Sequence, residues 1–318
     1  MASEFKIGSK WVGEGHPAFI IAEVGSNFDG SLEKAKKMVD LAKECGADAI
    51  KFQSFLVDKI INRVAFDKGS DADFQKKWGK KVTGVYKQAE FPREWHAEIS
   101  EYCKKRGIIF FSSPYDEEAV DLLDELGVPA YKIGSGDVTF LQLVEYIAKK
   151  GKPVLMGVGA STMGEIEAAV NLIRKHNDEL LLMQCVTNYP TAFAEANVRA
   201  MRTLSQAFDV PVGYSDHTPG SVVPVLSVGF GCSAIEKHFT DDKALAGPDH
   251  PFALDAREFK QLVQDVRNAE AALGSFVKKI YSCAEKTKIV QRRSLFAAKD
   301  IPRGAKITQD MLAVLRPW

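Results

Sequence analysis

Two histidines, His217 and His238, close short apolar runs, VPVGYSDH and CSAIEKHF, one strand-and-helix unit apart. Neutral imidazoles presented this way suit a borderline divalent cation whose open positions take a substrate oxygen. Asp216 and Asp249 are carboxylates that complete or orient such a site. The competing reading is a pair of core histidines satisfied by backbone or carboxylate partners; His250, beside Asp249, is left out. Lys51 in DAIKFQ and Lys132 in AYKIGSGD also end apolar runs. A buried, unpaired ammonium is costly, so the two lysines predict a bound phosphate or carboxylate, unless Glu23 or Asp137 pairs with them. A Schiff-base role is open to either lysine. The GSGD turn adds Ser135 and free backbone N–H groups, a good place for an oxyanion. Glu23 ends the first apolar run as an acid, a base, a metal-shell residue or an inward salt bridge. Thr187, Asn188 and Tyr189 in VTNYPT offer polar groups to a hydroxyl-rich ligand, or form a turn.

For these residues to meet, each run must be a strand and all must end on one face. From residue 18 the chain alternates β-rich apolar runs with amphipathic segments: AFIIAEVG then LEKAKKMVDLAKECG, IIFFSSPY then EEAVDLLDELG, KPVLMGVG then MGEIEAAVNLIRKHN. Eight such pairs predict a (β/α)₈ TIM barrel, in which carboxyl-terminal strand ends converge on one mouth. The alternative is an open doubly wound sheet. EVGSNFDG follows the first strand in place of GxGxxG, which argues against a dinucleotide fold. A polar excursion interrupts the alternation over residues 57 to 90. After residue 275 the pattern changes to short strands, a Pro-Arg-Gly turn and one short helix, too little chain to bury its own core.

The whole chain has 318 residues, 46% of them apolar, with 42 basic and 42 acidic side chains. That content is ample for a core, and a net charge of zero gives no reason to expect nucleic acid or an anionic membrane. Five scattered cysteines without a CxxC pair suit a reducing interior, and no run approaches the length of a membrane span. A cytoplasmic protein is expected.

Taken in order, IIAEVGSNFDG, ADAIKFQSF, FFSSPYDEEAVDLL, YKIGSGD, CVTNYPT, VGYSDHTPG, AIEKHFT and GPDH resemble the sialic acid synthase family, which includes synthases of legionaminic and pseudaminic acids. RRSLFAAKDIPRGAKITQDMLAVLRP resembles the first half of that family's antifreeze-like (SAF) domain. The resemblance implies a barrel over 1–275, a linker over 276–290 and a partial antifreeze-like segment over 291–318. It implies condensation of phosphoenolpyruvate with an N-acetylated hexose: N-acetylmannosamine, its 6-phosphate or a 2,4-diacetamido sugar. It also implies a divalent metal, Mn²⁺ first and Mg²⁺ or Co²⁺ otherwise, on His217 and His238. Lys51, Lys132, Ser135, Thr187 and Asn188 would hold phosphoenolpyruvate, and Gln53 and Tyr189 would line the sugar side. Glu23 and Asp249 would handle protons and sugar hydroxyls. Arg316 would reach the N-acetyl group in a partner's site, giving a domain-swapped homodimer.

The chain departs from the family at three places. Gly157 stands where a phosphate-binding serine is usual, Gln184 where a histidine is, and Phe28 follows Asn27 in the NHxG loop. Two other readings are carried: a Schiff-base aldolase on the same barrel, and a non-catalytic binding relative.

Overall fold

A computed structural model of the chain describes residues 4–67, Gln75 and residues 81–318. The chain divides into two compact units, Met1–Leu273 and Gly274–Trp318. The first opens with an antiparallel hairpin that sequence reasoning did not foresee, β1 (Phe5–Ile7) and β2 (Lys10–Val12). Phe5, Ile7 and Val12 are buried in the core, and Lys10 bridges to Asp48 at 2.8 Å, just ahead of a barrel strand. The hairpin therefore sits at the amino ends of the strands.

Those strands are β3 (Phe19–Glu23), β4 (Ala49–Ser54), β5 (Ile109–Pro114), β6 (Tyr131–Ile133), β7 (Val154–Gly157), β8 (Leu180–Gln184), β9 (Val212–Asp216) and β10 (Cys232–His238). They form one eight-stranded parallel sheet in the order β5-β4-β3-β10-β9-β8-β7-β6, with β5 and β6 side by side where the row closes. The eight expected runs are these eight strands. Helices α1 (Leu32–Glu44), α5 (Trp95–Arg106), α6 (Glu117–Glu125), α7 (Leu141–Ala148), α8 (Met163–Ile173), α9 (Ala200–Phe208), α10 (Val222–Val228) and α11 (Ala256–Leu273) follow them in turn. Between β4 and α5, the polar excursion carries short helices α2 (Val57–Ile60), α3 (Arg63–Asp67) and α4 (Val82–Gln88); its remainder lies outside the described residues.

Local chemistry sets the boundaries. Ser31 caps α1 by accepting from the Lys34 N–H, and Gly46, at φ +87°, lets the chain turn out of it. Thr162 and Glu165 form a reciprocal capping box on α8. Where β9 meets the irregularity in β10 between Cys232 and Ala234, a Cβ on residue 213 would lie 2.6 Å from the Ala234 carbonyl oxygen, so the position requires Gly213.

Register then fixes what converges. Parallel pairing sets Glu23 beside Lys51 on β4 and beside His238 on β10, and sets Gln53 beside Ser113. Because side chains alternate along a strand, Lys51 with Gln53, Ser215 with His217, and Glu236 with His238 all point into the barrel.

The second unit carries α12 (Glu285–Gln291) and an antiparallel pair, β11 (Ser294–Ala297) and β12 (Leu312–Leu315). No side chain in it is fully buried.

Candidate active site

At the carboxyl ends of the strands lies a cavity of about 450 Å³. Its floor is an ionic cluster. Lys51 Nζ lies 2.6 Å from Glu23 Oε2, donates to Ser113 Oγ at 3.2 Å and stands 3.7 Å from Glu236 Oε1. Lys132 Nζ faces the same Glu236 oxygen at 3.4 Å, and Ser215 donates to it at 3.3 Å. Gln53 Nε2 donates to the other Glu23 oxygen at 2.6 Å. Both lysines and both glutamates are almost wholly buried. The lysines are thus paired with carboxylates, one of the two arrangements the sequence allowed: Glu23 holds Lys51, and Glu236 faces both.

Glu236 is the residue that sequence reasoning missed. It lies two positions before His238 in AIEKHF, so strand alternation alone would have turned it inward with the histidine. Burial pushes its carboxyl up, but Lys132 and then Lys51 outweigh that and hold it down to about 2. Conversely, burial lowers the Lys51 ammonium while Glu23 and Glu236 raise it, and the balance is a raised value. Asp137, in the turn after β6, lines the cavity with its carboxyl pushed up to about 6 by burial. Tyr115, Ser113 and Phe252 also border the space unannounced.

His217 and His238 stand above this floor with ring centroids 5.6 Å apart. The backbone carbonyl of Val186 takes the His217 Nδ1 proton at 2.7 Å, which leaves Nε2 free. Burial, with repulsion from His238 behind it, pushes the His217 imidazole down to about 3. His238 Nδ1 is buried with no hydrogen-bond partner. A neutral imidazole with a free nitrogen and a second with an orphaned one fit a divalent cation. Among the described residues no group of three or more His, Cys, Asp or Glu is placed to hold a metal, so water or substrate would complete the shell. Tyr189 packs on His217 at 4.2 Å, and Phe252 on His238 at 4.9 Å.

Asp249 reaches the cavity from the loop after β10, accepting both the N–H and the hydroxyl of Ser26 at 2.8 Å. Gly25 makes room for it: at φ +54°, a Cβ there would meet Asp249 Oδ2 at 2.4 Å. Ser135, Thr187 and Tyr189 also line the cavity. Ser135 Oγ lies 2.9 Å from Cys185 Sγ and accepts the Gly159 N–H at 3.2 Å.

Other expected residues are elsewhere. Asn188 is exposed and outside the lining, its carbonyl accepting from Thr191 at 2.7 Å. Asp216, an expected partner of the histidines, points out of the barrel to Lys237 at 2.5 Å, because it occupies the odd position between Ser215 and His217. Arg316 lies in the second unit, donating from Nε to Gln291 O at 2.7 Å. Two of the departures leave the cavity untouched: Phe28 packs against Phe91 and Trp95, and Gln184 turns to the Ala196 carbonyl. His250 is structural, held between Thr240 at 2.6 Å and Asp29 at 3.0 Å.

A closed parallel barrel whose strand ends gather lysines, glutamates and two imidazoles around one cavity has the architecture of a barrel enzyme. The sequence pattern of the NeuB family matches residues 38–278, and that of the SAF domain matches residues 292–318. The chain belongs to the NeuB family, and like the synthases in it is a transferase that forms a carbon–carbon bond. It is 42% identical over 316 residues to uncharacterized protein MJ1065 of Methanocaldococcus jannaschii, covering 99% of this chain and 89% of that one. It is 40% identical over 326 residues to N,N'-diacetyllegionaminic acid synthase of Legionella pneumophila, covering 100% and 90%. The crystal structure of N-acetylneuraminic acid synthetase from Leptospira borgpetersenii serovar Hardjo-bovis, in complex with citrate, superposes with a TM-score of 0.79 at 31% identity, over 90% of this chain and 95% of that one.

Proposed function

We propose that the protein condenses phosphoenolpyruvate with an N-acetylated hexose, giving a nonulosonic acid and phosphate. The observation that carries this reading is the convergence of Lys51 and Lys132 on Glu236, beneath two imidazoles in one cavity. Family membership and the synthase relatives support it. Lys132 meets Glu236 at only 3.4 Å, so its ammonium keeps donors for a second anion. With Lys51, Ser113, Ser135 and Thr187 it would hold the phosphate and carboxylate of the enol substrate. The open-chain sugar would lie above, its aldehyde toward the histidines and its hydroxyls toward Gln53, Tyr189 and Asp249. His217 and His238 would hold a divalent ion, manganese first and magnesium or cobalt otherwise, which when bound would polarise that aldehyde oxygen.

Bond formation runs from C3 of the enol ether to the aldehyde carbon. Glu23 and Asp249 would pass protons to the new hydroxyl and from the entering water. The Glu236 and Glu23 charges stabilise the positive charge that develops at C2. Water adds at C2, and the C2–O bond breaks to release phosphate. A Schiff-base aldolase needs a neutral lysine, and the raised Lys51 value opposes one there. We further propose a domain-swapped homodimer in which Arg316 of a second copy meets the acetamido group. No described helix is long and apolar enough to cross a membrane, and we propose a cytoplasmic enzyme that uses no nucleic acid.

The test is phosphate release from phosphoenolpyruvate with Mn²⁺ over a panel of N-acetylated hexoses, with and without chelator. Release should require both sugar and metal, and His217→Ala and His238→Ala, each still folded, should lose about 100-fold or more. Full activity in both variants overturns the metal assignment. Borohydride with pyruvate should trap no adduct; a trapped one would favour the aldolase.

A further inference from the structure

Three strand ends meet behind one side of the cavity. Ser135 follows β6 and lines the space, whereas Cys185 follows β8 and is buried outside the lining. Between them, past β7, runs Gly159, where a Cβ would lie 2.8 Å from both the sulfur and the carbonyl oxygen of Cys185, so this close approach requires glycine. The Gly159 N–H is shared between Cys185 Sγ at 3.1 Å and Ser135 Oγ at 3.2 Å, and those two atoms stand 2.9 Å apart. Cys45 and Cys232 give their thiols to backbone carbonyls, of Ala256 at 3.0 Å and of Ala234 at 3.1 Å. Cys185 instead meets a side chain of the cavity. A hydroxyl has one proton and two lone pairs. If the Ser135 proton goes to the sulfur, none is left for an anion. If the thiol donates, Oγ is satisfied from behind by S–H and N–H, and its own proton turns into the cavity. Lys132 Nζ flanks the same spot: it and Ser135 Oγ lie 3.4 and 3.0 Å from where Gly157 would carry a Cβ. An anion drawn there by the ammonium selects the second arrangement, and each donor in the chain strengthens the next.

We infer that Cys185 is a positioning residue: its thiol donates to Ser135 Oγ and so turns the Ser135 hydroxyl proton toward the bound anion, without touching that anion itself. This rests on the phosphoenolpyruvate site proposed above.

Calorimetric titration of the full chain with phosphoenolpyruvate, and with inorganic phosphate as a second probe, tests it. Cys185→Ala and Cys185→Val, which remove the donor with and without leaving a gap, should each weaken binding about tenfold, and Cys185→Ser, which keeps a donor, should stay within about threefold of the parent. Ser135→Ala should weaken binding as much, and Cys185→Ala added to it should change nothing further, because the thiol acts through that hydroxyl. A cysteine that only fills space would lower the Tm in Cys185→Ala and move no Kd. Parent-like affinity in the folded variants without a donor, a loss in Cys185→Ser as large as in Cys185→Ala, or losses that add in the double variant overturn the inference and leave the condensation standing. A parent that binds inorganic phosphate but not phosphoenolpyruvate overturns the condensation, and the phosphate titrations of the same variants then still decide the role of Cys185.

Discussion

Among the described residues, Asp137 carries a carboxyl with no salt bridge, in a cavity where Glu23 and Glu236 are matched by lysines and Asp249 accepts from Ser26. Burial moves it from 3.8 to about 6. An acid raised by folding favours the folded state fully below its unfolded value, and that contribution is lost as pH rises through about 6. Asp137→Asn has no proton to lose. Its Tm relative to the parent should therefore be higher at about pH 7.5 than at about pH 4.5, and a pH-independent difference would remove the assignment. The residue scale is also where reading the sequence reached furthest and fell short. Strand-end position picked out Glu23, Lys51, Lys132 and the histidines, because a charged or polar residue closing an apolar run is conspicuous. Glu236 was overlooked because it sits inside its run, where only the alternation that brings in His238 betrays it. Asp216 was misplaced by the same rule applied one residue off.

Strands and loops decide how much room the charged groups have. At the end of β7, a Cβ on Gly157 would lie 3.0 Å from Ser135 Oγ and 3.4 Å from Lys132 Nζ. The position is thus tight even for a Cβ, and the serine usual in the family would set a hydroxyl on the anion side once Ser135 gives way by a few tenths of an ångström. Gly157→Ser, with a small shift of Ser135, should lower the KM for phosphoenolpyruvate several-fold through one charge-assisted hydrogen bond and leave the acceptor KM alone. A raised KM for phosphoenolpyruvate would mean that Ser135 cannot yield. Barrel strands and their helices were legible because eight apolar runs alternate with capped amphipathic segments. The opening hairpin was not, since its three-residue strands are too short to show a period, and burial of Phe5, Ile7 and Val12 depends on a core formed by distant residues.

The chain ends in a unit whose apolar side chains face outward. Leu295 and Val314 lie opposite each other across β11 and β12, 65% and 54% exposed, and Trp318 is 62% exposed. Pairing of two copies would cover such a face. Sedimentation of the full chain should give twice the 35.0 kDa of one protomer, and Leu295→Asp with Val314→Asp should give the single mass. A monomeric parent would dispose of the dimer. At the amino ends of the barrel strands, β1 and β2 bury Ile7 and Val12 completely. With that end covered, the cavity lies at the carboxyl ends of the strands. The lysines lie at its bottom and the imidazoles higher up, so a sugar seated first would bar the way down. If the enol and the sugar proposed above share that route, the enol would have to enter ahead of the sugar, and the phosphate freed at the bottom would wait for the sugar acid to leave.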